Sequence, residues 1–258
     1  MNKESIDRIW LELIGLLLFA ARYLWFLATG ITMTIFMYLM NKTIIVGRKN
    51  IPDGKNILII SNHLTMIDSW LISMACIWPK AIWMPHLTPW HLPKEANFMN
   101  RQPLKAMCQL WQCIPIRRGS GDFLQKMSYI LKRLQQGILM IFPEGTRNRH
   151  PKNGKLCRWA NGTCHLAYEA KATVIPVAIR GAEDILPIGS RKPKWRKKII
   201  IVIGEPIAGM EALYQIDKKT ALPLISDVMK SRLQDTLDIA TYLLEKKSGH
   251  RTLTDKSA

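Results

Sequence analysis

Ile57-Leu-Ile-Ile-Ser-Asn-His-Leu-Thr-Met-Ile-Asp68 carries the reading on which the rest of this 258-residue sequence turns. Four large aliphatic residues in a row, stopped by Ser-Asn, predict a short buried strand whose exit turns toward a helix. Working outward, similar Ile- and Val-rich runs recur at Ala81 to Met84, Ile114 to Ile116, Ile138 to Phe142, Val174 to Ile179 and Ile199 to Ile203. Pro, Gly or Asn bounds them. Between two of these runs, Phe123, Leu124, Met127, Ile130, Leu131 and Leu134 return at helical spacing, and Gly137 stops that helix. Alternating strands and helices predict an α/β fold, a sheet covered by helices on both faces.

The ends of the chain read differently. From Ile9 to Met40 only Glu12 and Arg22 are charged, and Tyr23 to Met40 is an unbroken apolar run. A spanning helix needs about 20 such residues. Basic residues flank both ends, Lys3 and Arg8 before and Lys42, Arg48 and Lys49 after, which disfavours sending either flank across a bilayer. The reading preferred here is a membrane-embedded helical hairpin in residues 1–42, broken near Arg22 and lying in one leaflet. A single spanning helix is the alternative. Residues 43–210 form the α/β domain. In residues 211–258, one or two amphipathic helices are expected after Pro223.

Net charge is +18, so the partner is expected to be polyanionic. Arg191, Lys192, Lys194, Arg196, Lys197 and Lys198 put six cations into eight positions around Trp195, suited to an anionic lipid surface. No nucleic-acid-binding motif accompanies the charge, and no nucleic-acid partner is expected. The five cysteines lack the close, repeated spacing of a zinc site, and neither a metal nor a disulfide framework is expected.

Three segments carry chemistry. In the first, His63 and Asp68 stand where a strand gives way to a helix, as a base and its orienter would. Residues i and i+5 of a regular helix lie about 140° apart, so the pair meets only if the first turn is irregular. A cap or a surface pair is the plainer reading of these two residues. In the second, Phe142-Pro-Glu-Gly-Thr-Arg147 follows an apolar strand, with Gly to admit an anion and Arg to fork onto phosphate oxygens. An ordinary polar turn reads the same way. In the third, Cys113-Ile-Pro-Ile-Arg-Arg-Gly119 ends a strand in two cations. His86 and His91, in the Pro-rich stretch Pro85 to Pro93, read as loop residues at a pocket mouth rather than catalysts.

In this order, and joined by Val174-Ile-Pro-Val177, the segments resemble the glycerolipid acyltransferase family, typified by 1-acylglycerol-3-phosphate acyltransferases, from about Ile45 to Ile207. The resemblance implies a mixed sheet flanked by helices. It implies His63 as general base with Asp68 as its orienter. It also implies Arg118, Glu144, Gly145, Thr146 and Arg147 as residues binding the acceptor phosphate, and Arg101 where many members carry a phosphate-binding Lys. No cofactor is implied: acyl-CoA or acyl-carrier protein is the donor substrate, and a lysophospholipid, lysophosphatidate first, is the acceptor. Membrane lipids and an acyl-carrier protein are the implied partners, at the cytoplasmic face of a membrane (the inner membrane if the source is bacterial). The segments Cys113 to Gly119, Asp184-Ile-Leu-Pro187 and Ile203-Gly-Glu-Pro-Ile207 resemble tafazzin-like transacylases, which leaves the donor open. A backbone N–H from the Gly145 loop or from the turn at His63 is the expected oxyanion donor.

Overall fold

The structure, a computed structural model, describes residues 3–99, 102–117, 121–190 and 192–246. Arg101 and Arg118 lie outside the described residues.

Six strands form one sheet in the order β1-β6-β5-β2-β4-β3: β1 Lys42–Val46, β2 Ile57–Ser61, β3 Trp90–His91, β4 Ile138–Ile141, β5 Thr173–Arg180 and β6 Lys198–Ile203. β5 and β6 are antiparallel and all other neighbours are parallel, so the sheet is mixed. β2 is central and every residue of it is buried, which accounts for its continuous rather than alternating apolar character. Ile57 pairs with Ile138 of β4 on one side and Thr173 of β5 on the other. The chain therefore leaves β2 and β4 at the same end of the sheet, and the segments after Ser61 and Ile141 emerge side by side.

Two of the expected strands are not strands. Ala81 to Met84 falls in a single 3-10 turn, Lys80–Ile82, and the residues after it. Ile114 to Ile116 makes only isolated bridges, Cys113 to His91 and Ile116 to Lys94, because Pro93 opposite has no N–H to give the Ile114 carbonyl between them. β1 and β3 were not expected, being short edge strands without an alternating signature. The helix expected around Phe123 to Leu134 is two, Asp122–Gln125 and Met127–Gln136, joined at Lys126.

The N-terminal helix α1, Lys3–Thr34, runs on as a π-helical turn, Ile35–Met40. It does not break at Arg22. That guanidinium turns toward the domain, its Nε donating to the Gln109 carbonyl at 3.2 Å, so the charge is met without bending the helix. Asp7 to Met40 is long and apolar enough to cross a membrane by length and composition. Phe26, Met33 and Met37 form a buried stripe at helical spacing, whereas Leu11, Leu16, Leu17, Leu24, Ile31 and Leu39 are exposed. Gly30 lies on the packed side: a Cβ there would come within 2.3 Å of the Trp78 ring.

The C-terminal segment forms one helix, Lys218–Lys246, that continues through Pro223. Ala221, Ile225, Met229, Leu233, Leu237 and Ala240 line its buried stripe against the sheet. The opposite face of the sheet packs on α1 and on the helix after the His63 turn, α2, Asp68–Ile77.

Candidate active site

Residues 62–67 bridge β2 and α2 without helical structure, and this irregularity brings His63 and Asp68 together. α2 begins at Asp68 itself. The Asp68 carboxylate, fully buried, folds back over the turn: Oδ2 accepts from the backbone N–H of Leu64 at 2.6 Å and of Thr65 at 2.7 Å, and Oδ1 accepts from the Thr65 hydroxyl at 2.5 Å. His63 Nδ1 lies 2.9 Å from the same Oδ2. An acceptor held by two amides and facing a ring nitrogen fixes the proton on Nδ1, so Nε2 keeps its lone pair. Phe142 stacks on the imidazole at 4.2 Å between centroids, which fixes the ring plane.

Asn62 sets where the turn starts. Its side chain exchanges two hydrogen bonds of 2.9 Å with the backbone of Ile179 on β5, continuing the ladder by one rung after the main chain has left it. On the other side, Glu144 is fully buried. Its Oε1 accepts from the His63 backbone N–H at 2.8 Å and its Oε2 from that of Cys157 at 2.7 Å. The Asn148 N–H donates to the His63 carbonyl at 2.7 Å. The segment from Phe142 to Asn148 thus clasps the backbone of His63 from both directions. With Glu144, burial pushes the Cys157 thiol up to about 11, so it stays protonated at neutral pH.

The positions expected to bind phosphate separate into distinct environments. Both carboxylate oxygens of Glu144 are taken by backbone amides, directed into the protein. Gly145 adopts φ +65°, with open space where a Cβ would project. Thr146 is exposed. Arg147 is half-buried and has no ion pair or hydrogen bond with the described residues. The N–H groups of His63, Leu64, Thr65 and Gly145 are all engaged, the last with the Phe142 carbonyl at 2.9 Å, so these four are not free to hold an oxyanion.

A cleft of about 780 Å³, counting its open mouth, begins at His63 and Phe142. Its walls are largely apolar, built from Met66, Trp70, Phe98, Met107, Trp111 and Met140. Two residues on it were missed by sequence reasoning or misread. Lys94, exposed at its lining, is a cation with no ion pair among the described residues. The one available signal was its place directly after the Pro-rich stretch. His91 is not a loop residue at the mouth but part of β3, 4% exposed and stacked on Trp111 at 5.6 Å. The Cys113 bridge turns what looked like loop into sheet edge. Arg117 is held near Glu95 and Asp122, at 3.7 and 3.9 Å, rather than free at a strand end.

A histidine paired with a buried carboxylate at the end of a central strand, a clasping acidic turn from the next strand and a largely apolar cleft meet at one end of the sheet. Residues 42–180 match the family model named Acyltransferase, and the chain belongs to that family. It is 30% identical over 173 residues to N-acylphosphatidylethanolamine synthase of Arabidopsis thaliana, covering 60% of this chain and 57% of that one. It is 26% identical over 185 residues to a chloroplastic 1-acyl-sn-glycerol-3-phosphate acyltransferase of the same plant, covering 69% of this chain and 47% of that one. The chain spans about half the length of the curated relatives it matches. In fold it is similar to the 1-acyl-sn-glycerophosphate acyltransferase PlsC of Thermotoga maritima, with a TM-score of 0.59, 18% identity, and coverage of 91% of this chain and 83% of that one.

Proposed function

We propose that this protein transfers a fatty acyl group from acyl-CoA or acyl-carrier protein to the sn-2 hydroxyl of lysophosphatidate, making phosphatidate for phospholipid synthesis. The observation that carries the reading is the 2.9 Å contact of His63 with a buried, amide-held Asp68, which leaves Nε2 facing the cleft as a base. The acceptor phosphate docks on Arg147 and Lys94, with Arg101 and Arg118 as further cations of the cradle. Its hydroxyl is then presented to His63. Nε2 takes the hydroxyl proton as the oxygen attacks the thioester carbonyl, and the tetrahedral adduct expels the thiolate, which recovers a proton. Ester replaces thioester, and neither metal nor cofactor enters the scheme. Base catalysis of this kind contributes about 10²–10⁴-fold, on top of positioning. Glu144 acts as a positioning residue through the His63 backbone.

The protein works on a membrane in this reading. The buried stripe of α1 holds the domain while its exposed apolar faces enter lipid. The basic loop sits beside the end of that helix: Trp195 packs edge-on to Phe36 at 6.1 Å, and the Arg196 N–H donates to the Met40 carbonyl at 2.9 Å. Cations at the rim of an apolar helix suit anionic headgroups on the cytoplasmic face.

The test is transfer by the purified full chain in lipid, with lysophosphatidate and, separately, acyl-CoA, acyl-carrier protein or a diacyl phospholipid as donor. His63→Ala is expected to abolish transfer while folding and membrane binding persist; wild-type rates in that variant would overturn the assignment. Product from the diacyl phospholipid alone would favour a tafazzin-like transacylase. Similarity to N-acylphosphatidylethanolamine synthase makes phosphatidylethanolamine, with its amine acceptor, a further arm of the assay.

A further inference from the structure

The cleft below His63 is lined mostly by hydrocarbon and sulfur, with Ser69, Lys94 and Asn97 as polar residues and His91 as a buried one. His91 projects from β3 into its wall, and both ring nitrogens are buried without a hydrogen-bond partner among the described residues. Trp111, stacked against that ring at 5.6 Å and 14°, lines the same cleft, and its indole N–H is also buried with no hydrogen-bond partner among the described residues. Neither group is used by the transfer chemistry. A buried donor or acceptor left unmade is costly, and two side by side on the wall of a substrate cleft await a polar atom that a ligand brings.

The sheet register places this pair relative to the reaction. His91 is in register with Met140 of β4, two residues before Phe142, the ring that stacks on His63. At about 3.3 Å per residue, the pair lies roughly 7 Å deeper along the strands than the catalytic end. That depth belongs to a chain running down the cleft rather than to the reacting carbonyl or the phosphate. Burial holds the His91 imidazole down at about 3, hence neutral, presenting one N–H donor and one acceptor nitrogen. Trp111 adds a donor. The polar atom they fit is an oxygen, and a hydroxyl oxygen can either accept or donate.

We propose that His91 and Trp111 form a selectivity point for an acyl chain carrying an oxygen, a hydroxyacyl group, in preference to a plain hydrocarbon chain of the same length. The proposal rests on the acyltransferase reading above. A made hydrogen bond in place of unmade buried groups corresponds to a preference in kcat/KM of about 10–100-fold.

The experiment uses the full chain in lipid with lysophosphatidate and a panel of acyl thioesters of one length, unsubstituted or carrying a single hydroxyl at successive carbons. One hydroxyl position is expected to exceed the unsubstituted donor by at least about tenfold in kcat/KM. In His91→Phe, which keeps a flat ring against Trp111, that ratio falls toward one. Trp111→Phe, which removes only the indole N–H and some ring area, lowers it in part and carries the test if the first variant does not fold. A ratio near one at every position in the wild type, or a ratio unchanged in both variants, overturns the proposal. Transfer of the unsubstituted donor alone would leave the acyltransferase reading standing while this one falls. No transfer from any donor would remove both.

Discussion

Replacing Glu144 by Gln separates two roles that the sequence alone leaves merged. If Glu144 braces the turn, the amide substitution strikes the backbone of His63. The carboxylate now accepts from two buried amides at 2.8 and 2.7 Å. A glutamine of the same shape offers one oxygen and one NH₂, so one of those two N–H groups would face a second donor. Leaving a buried donor unsatisfied costs about 1–3 kcal/mol, and the remaining bond loses its charge assistance, for a total of about 3 kcal/mol. In a chain of this size each kcal/mol moves Tm by about 2–4 °C, so the variant should melt about 6–12 °C lower. The loosened His63 should also lose about 10²-fold in kcat, the scale set by a misplacement of about 1 Å at a reacting group. KM for the acceptor should change little. Thermal unfolding by circular dichroism and steady-state kinetics with varied lysophosphatidate read all three quantities. A normal Tm and kcat with a several-fold rise in acceptor KM would refute the brace and return Glu144 to the phosphate site.

Arg147→Ala should raise KM for the phosphate-bearing acceptor, chiefly, because that cation has no ion-pair partner among the described residues to lose; an unchanged KM would remove it from the cradle. His91 gives a pH signature in stability. Its folded value of about 3 lies below the unfolded 6.5, so from pH 6.5 downward the unfolded chain binds a proton that the folded one refuses. Stability therefore falls on acidification, by about 2 kcal/mol at pH 5 from this group alone, and denaturant titrations of the wild type minus His91→Phe should show that slope; parallel curves from pH 7 to 5 would contradict it. Gly30→Ala should destabilise the packing of α1 on Trp78 by about 1–3 kcal/mol, since the added methyl would meet that ring. Normal stability in this variant would mean that the helix sits farther from the domain.

His63 and Asp68 show how far local sequence reaches. Their residue types and the strand before them announced a base and an orienter, and the spacing allowed a meeting only through an irregular turn. Why the turn is irregular lies elsewhere in the chain: Asn62 holds Ile179 of β5, and Glu144 grips the His63 amide from beyond β4. Neither partner is near in sequence, so no window of local pattern contains the interaction. The FPEGTR segment likewise advertised an anion-binding strand end, while the inward direction of its carboxylate depended on β4 lying beside β2.

The sequence by itself determined the buried strands β2, β4, β5 and β6, the alternation with helices, the apolar N-terminal segment and the residue types of the His63–Asp68 pair. Those follow from runs and periods of apolar side chains, which are local properties. Tertiary structure alone decided the unbroken course of α1 past Arg22, the edge strands β1 and β3, the inward brace of Glu144 and the burial of His91 against Trp111. In each of these the deciding contact joins distant segments: a carbonyl at Gln109 for Arg22, a parallel neighbour for each edge strand, two backbone amides for Glu144. Short strands and charged side chains carry too little local preference to choose a conformation until such a partner is in place.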